Sequence, residues 1–210
     1  MRTILVFLLT IGLLAGCASE PGEATSSSAD PTLTLSPPPP DPVRPTVDFK
    51  GFVNGYTDLK LPQLIDEDRL ENYGTEYPER KIAAGDLRAY LEGTPDFPEL
   101  GETVHFARLG KMKTAAGNWV LLTYQMAAGD HVYATTFTKT GEAIAGKQIV
   151  SLPEVPEGIN VNAVLGAKGS LILTTRTPKL MSEEGVPIDV EVTQENWQIT
   201  PEGQIQKVIE

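Results

Sequence analysis

The sequence predicts a mainly β protein: an antiparallel β-sandwich or barrel-like meander of about eight strands, with a short N-terminal helix. Three observations predict it. From about residue 102 onward, apolar and β-branched residues follow a period of two. Turn signals, mostly built on glycine, divide that pattern into short segments. Helical spacing is confined to short stretches that come before it.

In chain order, Leu59, Leu61, Leu64 and Ile65 surround Pro62 and predict an extended segment packed on the domain. Asp66 is placed to cap a short helix ending near Gly74. In "ERKIAAGDLRAYLEG" (79–93), Ala83, Leu87, Tyr90 and Leu91 share one helical face. Gly93 supplies a stop there, and Gly85 weakens the first turn. "NWVLLTYQM" (118–126) is almost continuously apolar and β-forming, the pattern of a strand covered on both faces.

The turn "AAGD" (127–130) leads to "HVYATTF", which places Tyr133, Thr135 and Phe137 on one face. "TKTGE" (138–142) connects to "AIAGKQIV", completing a three-stranded meander with hairpin turns. Ile159, Val161, Ala163 and Leu165 then alternate with Asn160 and Asn162. A turn over residues 167–170 leads into "LILTTRT". Ile188, Val190 and Val192 alternate with Asp189, Glu191 and Thr193, so one face of that strand is apolar. "NWQIT", "PEG" and "QIQKVI" form a closing hairpin. "FTKTGEAI" (137–144) and "ITPEGQIQ" (199–206) are alike, but their spacing exceeds the roughly 40–45 residues of a propeller blade. Shared hairpin chemistry accounts for the likeness.

The first twenty residues carry an address. Arg2 precedes an apolar run from Ile4 to Ala15, too short for a bilayer span, which needs about 20 residues. Small residues follow, and then the single cysteine of the chain, Cys17. This is the layout of a cleaved signal peptide. Leu14, Ala15, Gly16 and Cys17 resemble the lipobox of bacterial lipoproteins. That resemblance covers only this segment. It implies cleavage between Gly16 and Cys17, and acylation of Cys17. Two or more acyl chains give stable anchoring, at about 0.8 kcal/mol per buried CH₂. Ala18 rather than Asp at the next position implies sorting to the outer membrane, facing the periplasm. In a Gram-positive cell the same anchor implies the outer face of the cytoplasmic membrane. The closing strand–turn–strand is also similar to that of small secreted β lipoproteins of unknown function, which implies no active site.

Three regions follow: a lipoprotein signal peptide (1–16), a lipid-anchored tether (17–46) and one β-rich globular domain (47–210). The tether holds Pro21, Pro31, Pro37, Pro38, Pro39, Pro40, Pro42 and Pro45 among serine and threonine. Such a composition buries too little apolar surface to offset ordering, so disorder is expected. Its reach is about 30 Å as a flexible chain and about 90 Å when extended.

The chain has 17 basic and 28 acidic residues, a net charge of −11. Loss of Arg2 with the signal peptide makes this −12. That balance argues against nucleic acid and against anionic membrane surfaces as bulk-charge partners. With Cys17 acylated, no disulfide or thiol chemistry remains.

No catalytic residue, metal site or cofactor is expected. His105 and His131 lie on separate elements, and a zinc site wants three or four ligands. Asp130 adjoins His131, but neighbours on a strand point to opposite faces. G-x-S-x-G, S-x-x-K and H-E-x-x-H are absent, and Ser151 and Ser170 have no evident partner. "LGKM" (109–112) lacks the P-loop Ser or Thr at Met112 and the glycine at His105. "DEDRLE" (66–71) fails as an EF-hand at Leu70 and Glu71, and reads as an acidic helix start. Trp119, Tyr124, Tyr133, Phe137 and Trp197 are expected in the core or in cross-strand pairs; any two exposed together would make a carbohydrate or peptide platform.

The expected function is that of a lipid-anchored cell-envelope protein. Its β domain would serve a non-catalytic binding or structural role, with an envelope protein or glycan as partner. The alternatives are an envelope hydrolase, favoured by a deep pocket with converging carboxylates or a Ser–His pair, and an edge-strand inhibitor or binding module. An uncovered strand edge beside an apolar patch would favour the last.

Overall fold

The structure, a computed structural model, describes residues 44–101, 104–126, 129–155 and 158–209, and only the backbone of residues 72–78. The signal peptide, Cys17 and residues 17–43 of the expected tether lie outside the described residues.

Among the described residues, nine antiparallel strands form one open sheet. They are β1 (Gln63–Ile65), β2 (His105–Lys113), β3 (Trp119–Met126), β4 (Asp130–Phe137), β5 (Ala143–Leu152), β6 (Asn160–Leu165), β7 (Ser170–Met181), β8 (Pro187–Ile199) and β9 (Ile205–Lys207). From β2 to β9 each strand pairs with the next in sequence, so the arrangement is a meander. Two-residue periodicity and tight glycine turns dictate this order, because consecutive strands joined by short turns pair antiparallel. The β5–β6 ladder has a single register pair, Ser151 with Val161, and β1 pairs with residues 163–165 of β6.

The sheet curls around one interior. Val120, Leu122 and Tyr124 of β3, Val132 and Ala134 of β4, and Leu171 and Leu173 of β7 all belong to a single buried cluster. The outermost turns also meet: the Thr114 hydroxyl donates to the Pro201 carbonyl at 2.6 Å, and the Asn118 amide to that of Glu202 at 2.9 Å. The expected mainly β antiparallel fold is found, as an open meander whose first and last hairpin turns meet.

Helices cover the outer face of β2 to β4. Phe106, Leu121 and Phe137 point outward into a second buried cluster with Phe52, Val53, Tyr56, Ile82, Leu87 and Leu91. The unbroken apolar run in β3 follows from this double cover, and Tyr133, Thr135 and Phe137 share the helix-facing side as expected. Each large side chain buried here contributes about 1.5–3 kcal/mol relative to exposure.

Among the described residues there are three α-helices, where the sequence predicted the helix over 79–93 and a short one capped by Asp66. α1 (Phe49–Asn54) has too few residues to stand alone, but Phe52 and Val53 are buried and the Asp48 carboxylate accepts the Gly51 amide at 2.7 Å. α2 (Glu67–Arg80) begins at Asp66, whose carboxylate accepts the Arg69 amide at 3.1 Å. It continues past Gly74, where a stop was expected. Burial of Leu70 in the sheet interior secures one end, and the Arg80 guanidinium reaches the Leu109 carbonyl from the other. α3 (Ala84–Tyr90) is the expected amphipathic helix, followed by Gly93 at φ +77°.

Two other expectations change. The apolar face of residues 188–192 is uncovered: Ile188 is 63 % and Val192 57 % exposed. The two segments predicted in that region are one strand, β8, which extends beyond the covered sheet. Leu64 and Ile159, each expected to pack inward, are also exposed.

Candidate functional site

β7 and β8 form the longest hairpin, closed by bonds from the Ser182 amide to the Val186 carbonyl at 2.8 Å and from Gly185 to Ser182 at 3.1 Å. Its base is embedded. β6 pairs with β7 as far as Arg176, and β9 pairs with residues 197–199 of β8. Between these limits and the turn, the hairpin continues as a two-stranded arm. Residues 187–195 of β8 have no strand on their second edge among the described residues.

Alternation gives the arm two chemically different faces. Leu171 and Trp197 begin one face in the core; farther out the same parity places Glu195, Glu191 and Asp189 there. Lys179 meets Glu191 across the arm at 2.6 Å, and Lys207 meets Glu195 at the same distance. Hydrogen bonds from Lys207 and the Trp197 indole hold the Glu195 carboxyl below its ordinary range. These exposed ion pairs set orientation more than stability. The opposite face carries Ile188, Val190 and Val192, all exposed. An uncovered strand edge therefore lies beside an apolar strip and an acidic strip.

A second concave region lies where α1 approaches the β2–β3 hairpin and the β4–β5 turn. It is a cleft of about 700 Å³ lined in part by Phe49, Lys50, Lys113, Trp119 and Lys139. The Lys113 ammonium stands 4.3 Å from the centroid of the Trp119 ring, and that of Lys111 stands 5.8 Å away.

Other sequence candidates are dispersed. His105 is exposed at the start of β2, whereas His131 lies on β4 with Nδ1 3.1 Å from the Gln148 amide nitrogen. Burial lowers the His131 pKa, partly opposed by the Asp130 charge. Asp130 faces the other way and accepts a 2.7 Å hydrogen bond from Tyr124. Burial, then that bond and the adjacent charge, push the Tyr124 phenol upward. The acidic run from Asp66 caps and opens α2. No group of three or more metal-ligating side chains occurs among the described residues. Trp197 is half-buried under the Lys147 ammonium, 3.8 Å from its ring centroid. Tyr124, Tyr133 and Phe137 are buried. Gly16 and Cys17 lie outside the described residues.

The arm was visible in the sequence only as alternation, and the cleft not at all. Asp189, Glu191 and Glu195 with Ile188, Val190 and Val192 gave a local signal for a two-faced strand. Lys50, Lys113 and Lys139 are brought together only by folding.

No protein-family model, curated protein or solved structure matches the chain. Among the described residues, no helix is long and apolar enough to cross a membrane.

Proposed function

We propose that the chain is a lipid-anchored cell-envelope protein whose β domain is a non-catalytic binding module, taking up an extended segment of an envelope partner along the edge of β8. The observation that carries this reading is the uncovered edge of residues 187–195 beside the exposed Ile188, Val190 and Val192. Unpaired strand edges offer a row of backbone donors and acceptors, and added strands gain affinity from those bonds and specificity from alternate side chains. On the arm, Glu183, Glu184, Asp189, Glu191 and Glu195 outnumber Lys179. The fitting segment therefore alternates apolar with basic residues. The lipobox-like Leu14, Ala15, Gly16 and Cys17 support anchoring at Cys17, and Ala18 supports the periplasmic face of an outer membrane.

A photoreactive residue at Val192 of the full chain in intact cells tests the binding reading. Adducts are expected on one extended, apolar-basic segment of an envelope protein, identified by mass spectrometry. They should vanish when Ile188→Asp and Val190→Asp are added. Adducts that scatter over unrelated proteins, or form equally from position 148, would overturn it. For the anchor, Cys17→Ser is expected to leave an unprocessed precursor that takes up no labelled fatty acid; continued labelling would refute lipidation.

A further inference from the structure

The chain is acidic, with a net charge of −11, yet four lysines surround the Trp119 cleft. Lys50, Lys113 and Lys139 line it, and Lys111 stands at its wall with its ammonium donating to the Val53 carbonyl at 3.1 Å. Among the described residues no ion pair joins any of these four to a carboxylate, whereas Lys179 and Lys207 are each paired with a glutamate at 2.6 Å. The one carboxylate lining the cleft, Asp48, accepts the Gly51 amide at 2.7 Å. Three lysines against one carboxylate leave the cleft with a local excess of positive charge, which attracts an anion.

The walls are built by close approach. The stem of Lys139 lies against Gly117, at φ +84°, where a Cβ would come within 2.9 Å of its Cε. The Phe49 ring lies against Gly141, at φ +103°, where a Cβ would come within 2.6 Å. A volume of about 700 Å³ suits a ligand larger than a single small anion, since small-molecule sites span roughly 300–1,000 Å³. Lysines are flexible point charges, suited to anionic groups of variable spacing, whereas bidentate recognition of one fixed group favours arginine. Aromatic walls match the apolar faces of sugar rings.

We propose that this cleft binds an anionic saccharide. Its ring packs against Trp119 and Phe49, and its carboxylate or phosphate groups meet Lys50, Lys113 and Lys139. The proposal is independent of the β8 edge.

The chain has two tryptophans, so Trp197→Phe leaves Trp119 as the sole tryptophan, excited selectively over the tyrosines. The full mature chain carrying that substitution, in detergent, is titrated with trigalacturonate for the carboxylate form and glucose 1,6-bisphosphate for the phosphate form. Maltotriose, inorganic phosphate and triglutamate serve as controls. A saturable fluorescence change is expected with at least one anionic saccharide. Lys113→Gln with Lys139→Gln should weaken it at least tenfold, and added salt should weaken it further. Absence of binding by both saccharides would overturn the proposal, as would equal binding of maltotriose, phosphate or triglutamate. Binding unchanged by the lysine substitutions would overturn it too.

Discussion

Along β2, the Phe106 carbonyl accepts the Ile82 amide at 2.9 Å, while the Lys111 amide and carbonyl bond to Thr57 and Leu59 at 2.8 and 2.9 Å. Along residues 187–195 of β8, no such segment lies alongside among the described residues. These are two margins of one sheet, and the fold treats them differently. The segments beside β2 arrive with α1 and α3, which bury Phe52, Ile82, Leu87 and Leu91 against the sheet. Edge cover and core are formed there by the same residues. On the arm, acidic and apolar strips alternate with nothing packed over them among the described residues. The first margin is sealed into the core, and the second leaves its apolar strip in water.

Breaking the covered side should have the largest effect. Phe137 is fully buried beneath the helices, so Phe137→Ala is expected to cost about 3–5 kcal/mol in chemical denaturation. A loss similar to that of an arm substitution would erase the contrast between the margins.

Next is the fastening of the helical cover. Asp86 is 2 % exposed and pairs with Arg108 at 3.8 Å. Its carboxylate also accepts the Thr46 amide at 2.7 Å and the Thr46 hydroxyl at 2.7 Å. The last residue of the segment expected as a tether is thus bound to α3, and the Tyr90 hydroxyl donates to the Val47 carbonyl at 2.8 Å. Asp86→Ala leaves Arg108 without its charge partner and should cost about 3 kcal/mol, since removing one member of a buried pair strands the other. Faster amide exchange at Thr46 should accompany the loss. Unchanged exchange would show that Asp86 does not fasten that segment.

The uncovered margin should respond in the opposite sense. Ile188→Lys with Val190→Lys is expected to change stability by no more than about 0.5 kcal/mol, the usual range for exposed sites. The same pair should abolish the partner adducts. A large destabilisation would mean that the arm belongs to the cooperative core.

The smallest effect concerns His131. Burial lowers its folded pKa below the ordinary 6.5, so the unfolded chain binds the proton more readily. Stability from keeping the imidazole neutral is present above pH 6.5 and is lost as pH falls toward the folded pKa. The Asp130 charge tempers the shift, and the Gln148 amide nitrogen lies 3.1 Å from Nδ1. His131→Gln should flatten the stability profile between pH 7 and 5. An unchanged slope would assign that dependence to other groups.

Much of the meander was legible because alternation and glycine turns are local. Residues 119–126 read as doubly covered, and they are, since apolar residues at both parities leave no wet face. Helix α3 was legible from four spaced apolar residues. Helix α1 was not, because six residues contain too little periodicity; Asp48 before "FKG" was its one local mark. Helix α2 was read too short because Gly74 is a local breaker, while the packing of Leu70 and Arg80 is not local. Of the candidate surfaces, the arm could be seen as a pattern, but the Trp119 cleft had no sequential signature.

By itself the sequence determined which residues alternate, where the chain turns and which carboxylates cap helices, because these depend on neighbours a few positions away. It also placed Cys17 in the only stretch that resembles a lipidation signal. Tertiary structure alone decided that the apolar strip of Ile188, Val190 and Val192 stays in water while an equally alternating strip at Val132 and Ala134 is sealed. It alone gathered Lys50, Lys113 and Lys139 around Trp119. The reason is physical: a strand's pattern specifies two faces, but whether either face is covered depends on distant segments competing to bury their own apolar surface.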